Sequence, residues 1–389
     1  MSALKGIKVI DLSRVLAGPS CSQVLADLGA DVIKIERPEI GDETRHWAPP
    51  SFNDGTSAYF ATVNRNKRSL TLDFTKPQGQ AVLKHLIQDA DILVENFKVG
   101  NLAKYGLDYA SVKAINPRII YASLTGFGQT GPDASKPGYD YIIQGLSGLM
   151  SITGDPNGEP QKVGVAVVDL FAGMQLTSGI LAALVARQQT GQGQHVDVAL
   201  MDSAVAMLAN VGMNYLANHQ PAKRLGNAHP NIVPYQVFSG ADGEFILACG
   251  NDKQFREVCQ VMGQNWDKDA RFNTNPNRVL NREALISQMQ TVFQQQSRDS
   301  WLAKLDAVQV PCGPINSIDQ ALQMPQVLER GMIVDFDNGV SVLGSPIKLS
   351  DTPVEYLTPP PKLGEHTLSI LSEFHSPEAI AELQQAGVI

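Results

Sequence analysis

Cysteine, positive charge and long apolar runs are all scarce in this sequence, and each scarcity excludes something. The 389 residues hold four cysteines, Cys21, Cys249, Cys259 and Cys312, with no C-x-x-C pair and no regular spacing. That leaves no basis for a disulfide framework or a structural zinc, and a reduced compartment is expected. Lys and Arg number 31 against 39 Asp and Glu, a formal net charge of −8. Such a chain carries no electrostatic footprint for nucleic acid, so an anionic ligand must be met by a few placed cations. No apolar run approaches the roughly 18 residues of a membrane span. The first residues (MSALKG) lead straight into a strand-like segment without a charged-then-apolar signal. The expectation is a soluble, cytoplasmic protein that binds neither nucleic acid nor membrane.

Several catalytic signatures are missing too. There is no P-loop, no H-E-x-x-H and no G-x-S-x-G, and the seven histidines pair with no cysteine at ligand spacing. Metal catalysis is not expected. Residues 126–131 (GFGQTG) do match G-x-G-x-x-G after a strand-like run. They lead into Pro132 and Pro137 instead of opening a helix, and no strand ending in a carboxylate follows. The segment reads as a glycine-rich loop and not as a dinucleotide site.

What is present is a regular alternation. Strand-like runs at 6–12, 30–36, 69–74, 91–95, 119–124 and 194–199 alternate with helical patterns at 19–28, 77–89 and 109–115. Pro77 suits the first helical turn, where a missing N–H costs nothing. Strands alternating with helices mean βαβ units, so the fold class is α/β with a Rossmann-like parallel sheet. Long small-residue helices are expected at about 169–189 and 202–218. The stretch 220–234, rich in proline and turn formers, reads as a linker. Beyond it, 235–238 and 244–249 flank a turn and read as a hairpin, followed by Gln-rich helices to about 308. The chain is longer than one core usually supports. The expected organisation is a large α/β domain over 1–220, a smaller α+β domain over 221–325, and a return to the large domain over 326–389, including strands near 332–336 and 340–349.

Asp169 is the informative carboxylate. It ends the apolar run 163–168 (VGVAVV) and precedes a helix. A carboxylate there often serves only as an N-cap. The same position suits a nucleophile, kept ionised by the helix N-terminus and stripped of water by apolar neighbours.

In order along nearly the whole chain stand 14–19 (RVLAGP), 28–38 (LGADVIKIERP), 41–45 (GDETR), 64–72 (NRNKRSLTL), 94–97 (VENF), 138–140 (GYD), Val168-Asp169 and 364–367 (GEHT). Together they resemble the family III CoA-transferases, the CaiB–BaiF type. The resemblance implies an interlocked, ring-like homodimer and substrates that are acyl-CoA thioesters and carboxylic acids, with no tightly bound cofactor. It implies that Asp169 is the nucleophile, forming first a mixed anhydride and then an aspartyl-CoA thioester. It implies that Val15, Leu16, Ala17, Arg37, Leu72, Asp73, Asn96, Phe97, Lys104 and Tyr139 contact CoA. On sequence alone Leu72 and Phe97 read equally as core, and Arg37 as a solvated charge. Lys104 replaces an arginine of some members, keeping charge but not the bidentate fork. Backbone N–H groups of a glycine loop at Gly250 are candidate oxyanion donors.

The α-methylacyl-CoA racemases share much of this pattern and are the alternative. That branch has a histidine where Tyr139 stands, and tyrosine, with an unperturbed pKa of about 10, is poorly suited as a base near neutrality. The runs 222–226 (AKRLG), 232–236 (IVPYQ) and 310–316 look most like the succinyl-CoA:glutarate branch, which implies dicarboxylate acids. A second carboxylate calls for a cation, and Arg14, Arg45 and Arg224 are the candidates.

Overall fold

The computed structural model describes residues 2–389, which form two compact units. The larger comprises residues up to 147, 163–208 and 325–389; the smaller comprises 148–162 and 209–324.

The large unit is built on six strands: β1 (Lys8–Asp11), β2 (Asp31–Glu36), β3 (Lys67–Thr71), β4 (Ile92–Glu95), β5 (Ile120–Thr125) and β6 (His195–Ala199). All neighbours pair parallel, in the order β3-β2-β1-β4-β5-β6. The expected α/β class and parallel sheet are therefore observed. Buried on both faces, the strands read as near-continuous apolar runs such as ILVE and IYASLT. One face carries α2 (Pro77–Gln88), α3 (Tyr109–Ile115) and the C-terminal α8 (Thr367–Leu371) and α9 (Pro377–Gln385), which share a core with Ile10, Ile33, Leu70 and Leu93. The other carries α1 (Ala17–Asp27) and α5 (Val167–Thr190), which pack on one another. Gly173 permits that approach, since a Cβ there would sit 2.6 Å from the Ala17 carbonyl oxygen.

The chain reverses its direction of sheet growth after β3. Strands β1 and β4 are adjacent but start connections that leave to opposite sides. In such sheets ligands bind outside the carboxyl ends of the strands at this switch point.

Two expectations need correction. The sequence was read as free of membrane-length apolar segments, yet α5 is long and apolar enough to cross one by length and composition. Its Val168, Ala172, Leu176, Ile180 and Leu184, spaced by four, are buried in the large unit. The helix expected over 202–218 is two, α6 (Leu200–Met207) and α7 (Ala209–Asn218), with Ala209 at φ 43°. The strands expected near 332–336 and 340–349 are the short β10 (Ile333–Asp335) and β11 (Ser341–Leu343), an antiparallel hairpin within the large unit.

In the small unit β7 (Tyr235–Ser239) and β8 (Glu244–Ala248) form the expected hairpin, and β9 (Cys312–Pro314) adds antiparallel to β8. Its core is an aromatic cluster, with Phe293 within 5.1 Å (ring centroids) of Phe238, Phe245 and Trp301. The linker-like 220–234 stretch carries no helix or strand.

Candidate active site

The turn from β1 into α1 lies at the switch point and carries Arg14–Ala17. Residues of β1 and β2 and the residue that follows β4 hold it. Asn96, just after β4, accepts from the Arg14 N–H (3.0 Å) and donates to the Arg14 carbonyl (2.8 Å). Asp11 accepts from the Ser13 N–H (2.9 Å), and Lys34 of β2 donates to the Ser13 carbonyl (2.9 Å). Gly18 allows the turn to close, because a Cβ there would lie 2.4 Å from the Ser13 Cβ.

Two cavities open on this turn. One, of about 190 Å³, brings together Val15, Leu16, Ala17, Asn96, Phe97, Tyr139 and Asp169. The other, of about 430 Å³, is lined by Arg37, Leu72, Asp73 and Lys104. Arg14, Glu43 and Phe97 line both. The Arg14 guanidinium lies 5.1 Å from the Phe97 ring centre and pairs with Glu43 at 2.5 Å. That pairing leaves Glu43 Oε2 buried without a partner. Leu72 and Phe97 serve the core as well, through the cluster under α2.

Beneath β1–β3 lies a dry set of paired charges. Lys34 pairs with Asp42 (2.9 Å), Lys67 with Asp11 (3.2 Å) and Arg45 with Glu36 (2.7 Å). Burial alone would raise all three carboxylates. The Lys67 and Lys34 charges, and the Arg45 fork, overcome it and hold Asp11, Asp42 and Glu36 below the usual range.

Asp169 stands in the opposite electrostatic setting. It is the third residue of α5, whose N-cap is Ala166, so it is not the cap. The capping role falls to Asp140, whose Oδ1 accepts from the Val168 N–H (2.8 Å) and the Asp169 N–H (3.3 Å). The Asp169 carboxylate has no hydrogen-bond or ion-pair partner among the described residues. Burial, and then the like charge of Asp140, push it up to about 7. Burial and Asp140 thus act against the ionised form that the helix N-terminus was expected to favour. Tyr59 faces the same group, and burial followed by the Asp169 charge raises its phenol.

Asp140 and Tyr59 were not singled out from sequence. Asp140 sits in the GYD motif at the start of α4 (Asp140–Leu146), but its value depends on a partner 29 residues away. The glycine loop explains how it arrives. A Cβ on Gly126 would lie 2.6 Å from the Gly138 Cα, so the two backbones touch and deliver Tyr139 and Asp140 beside Asp169. The N–H groups of Gly128 and Gln129 are used within the protein, by Thr125 and Asp197.

The remaining candidates are engaged by other groups of the protein. Arg45 is clasped by Glu36 through Nε (2.8 Å) and Nη2 (2.7 Å), with its guanidinium 3.7 Å from the Phe60 ring centre. Neither cavity has it as lining. Arg224 belongs to the small unit and donates to the carbonyls of Asp155 and Gly158. Gly250 is also there, its N–H given to Gln254 Oε1 at 2.8 Å.

Comparison with known proteins adds an independent line. A family model described as CoA-transferase family III matches residues 4–367. The chain is 49% identical to a succinate–glutarate CoA-transferase of Agrobacterium fabrum, over 97% of each chain. It is 41% identical to the human succinyl-CoA:glutarate CoA-transferase, over 99% of this chain and 90% of that one. A crystal structure of a CAIB/BAIF family protein from Brucella suis superposes with a TM-score of 0.85 at 49% identity, covering 96% of this chain and all of that one.

Proposed function

The chain belongs to CoA-transferase family III, and from that premise we propose that it moves coenzyme A from succinyl-CoA or a similar donor to a short dicarboxylic acid such as glutarate, through Asp169. The substrate class follows from what the two relatives are named for. The observation that carries the role of Asp169 is its unpartnered carboxylate, pushed up to about 7, in a cavity at the switch point of the sheet. A carboxylate with a raised pKa is the more nucleophilic one, and it stays available at neutral pH.

The steps balance without an outside base. The Asp169 carboxylate attacks the thioester carbonyl, the C–S bond breaks, and CoA leaves as thiolate from a mixed anhydride. The thiolate attacks the Asp169 carbonyl and expels the donor acid as carboxylate, leaving an aspartyl-CoA thioester. The acceptor carboxylate attacks that thioester, and the returning thiolate takes the new acyl group and frees Asp169. Each exchange trades one activated acyl group for another, so thioester energy is kept while water is excluded.

Arg37 and Lys104, without ion-pair partners in the 430 Å³ cavity, support a phosphate-binding role there. Among the three candidate arginines, Arg14 alone lines the Asp169 cavity, which supports it as the cation for the distal carboxylate. The interlocked homodimer belongs to the same reading. Exposed apolar residues on α4 (Tyr141, Ile142, Leu146) and α5 (Leu170, Met174, Val185) support a covered face. Light scattering giving a monomer mass would sink that part.

The test of the main reading is direct. Incubation with succinyl-CoA and a panel of acids, read by mass spectrometry, is expected to yield glutaryl-CoA and a hydroxylamine-sensitive adduct on Asp169. A protein that transfers CoA with no such adduct would refute the covalent route.

A further inference from the structure

We infer that Asp42, itself held by Lys34, is a positioning residue for CoA transfer: it fixes Val15 in a strained turn that sets the wall facing Asp169. The inference rests on Asp169 being the reacting carboxylate. Among the described residues six non-glycine positions have positive φ, and Val15, at 72°, is the one that is β-branched. A β-branched side chain in that region is a genuine outlier, and it persists only where the surroundings over-determine it.

Those surroundings are visible. The Val15 N–H forks onto the Asp42 carboxylate, 3.2 Å from Oδ2 and 3.4 Å from Oδ1. The same carboxylate accepts from Lys34 Nζ (2.9 Å), the Thr44 N–H (3.0 Å) and Thr44 Oγ1 (2.8 Å), so it cannot swing. Lys34 and Asp42 side chains are 1% and 0% exposed. Lys34 also grips the Ser13 carbonyl, and Asn96 clamps Arg14, so the residues ahead of Val15 are held too. If Val15 relaxed to negative φ, its flanking peptides would rotate and re-aim Arg14 on one side and Leu16–Ala17 on the other. Those residues line the same cavity as Asp169. Asp42 also lines the 430 Å³ cavity, but its oxygens are taken by the Val15 N–H, Lys34 and Thr44, so it acts through Val15.

A double-mutant cycle tests this, because glycine adopts φ near +72° without strain. The four proteins are the parent, Asp42→Asn, Val15→Gly and the pair, each measured for kcat and KM with succinyl-CoA and glutarate. Asp42→Asn is expected to lower kcat by about 10- to 100-fold, the scale of released backbone strain, with a smaller change in KM. In the Val15→Gly background the same change is expected to cost less than about threefold, whatever the activity of that background. An equal loss in both backgrounds, or no loss of kcat at all, overturns the inference. A purely structural role would lower the melting temperature alike in both. Should Asp42→Asn leave Lys34 unpaired and fail to fold, Asp42→Asn with Lys34→Met leaves no lone buried charge and runs through the same cycle. Full activity in Asp169→Ala would sink the nucleophile reading while leaving the Val15–Asp42 coupling readable.

Discussion

Two sets of carboxylates flank the same turn, and the protein treats them in opposite ways. Under β1–β3, Asp11, Glu36 and Asp42 each meet a cation within 3.2 Å. Around the other cavity, Asp169 meets only another carboxylate, Asp140. Burial is the largest influence on all of them, so burial does not separate the sets; the sign of the neighbour does. Paired charge serves to hold a shape. A lone buried carboxylate beside a like charge sits in an unfavourable state that chemistry can use.

The sharpest way to break this comparison is to remove one carboxylate from the unpaired set. Asp169→Ala is expected to reduce CoA transfer by on the order of 10³-fold or more, as loss of a nucleophile does. Its melting temperature should not fall, because the lost group had no partner. A variant that lost stability instead would place Asp169 with the structural set.

The paired set should respond the other way. Lys67→Met leaves Asp11 buried with Lys34 as its nearest remaining cation. Breaking a buried pair from one side costs about 3–5 kcal/mol. Lys67 also donates to the Pro19 carbonyl and Asn64 Oδ1, so those acceptors lose a donor too. Urea unfolding is the measurement, and a midpoint equal to the parent's would show that the pair contributes nothing.

pH distinguishes the sets next. In the proposed mechanism attack requires the Asp169 carboxylate, so kcat/KM for the acyl-CoA should fall tenfold per pH unit below about 7. Asp140→Asn removes the like charge while keeping an oxygen to cap α5, and should move that limb to lower pH. The stability sign is opposite to that of an ion-paired carboxylate. Asp169 ionises in the unfolded chain near its usual pKa but in the folded one only near 7, so between those values the folded state holds the extra proton. Stability from this group is therefore present at low pH and lost as pH rises toward 7. Asp169→Asn should flatten that slope. An unmoved limb in Asp140→Asn would mean that burial alone sets the Asp169 pKa.

The same contrast explains what the sequence disclosed. Apolar strands announce themselves, and β4 and β5 lie within a residue of where their runs predict. β3 was expected at 69–74 but runs from Lys67 to Thr71, because a lysine and an arginine look like solvent-facing residues. Lys67 is buried by a partner 56 positions earlier, which no local pattern contains. Asp169 stood out through the ordered motifs, and the structure places it in the wall of the smaller cavity, whereas its first local reading, a helix cap, belongs in fact to Asp140. The break at Ala209 was hidden, since 202–218 keeps a helical composition throughout. Arg14, Arg45 and Arg224 looked equivalent because nothing in sequence shows which guanidinium is already engaged.

The two arginines of the large unit give the mildest and most specific test. Arg14→Lys and Arg45→Lys keep the charge and lose the planar fork. Arg45 spends its fork on Glu36, with a third bond to the Pro361 carbonyl, so its loss should appear as about 1–3 kcal/mol of stability. The effect on KM should be small. Arg14 is half-exposed, and its pair with Glu43 should contribute little to stability. Its loss should appear instead as a rise of about 5- to 20-fold in KM for glutarate, on the scale of a lost bidentate carboxylate contact. KM for a monocarboxylic acceptor should change far less, because that acid has no distal carboxylate to lose. Equal effects on both acids would place Arg14 in the wall of the cavity and leave the second carboxylate to another residue.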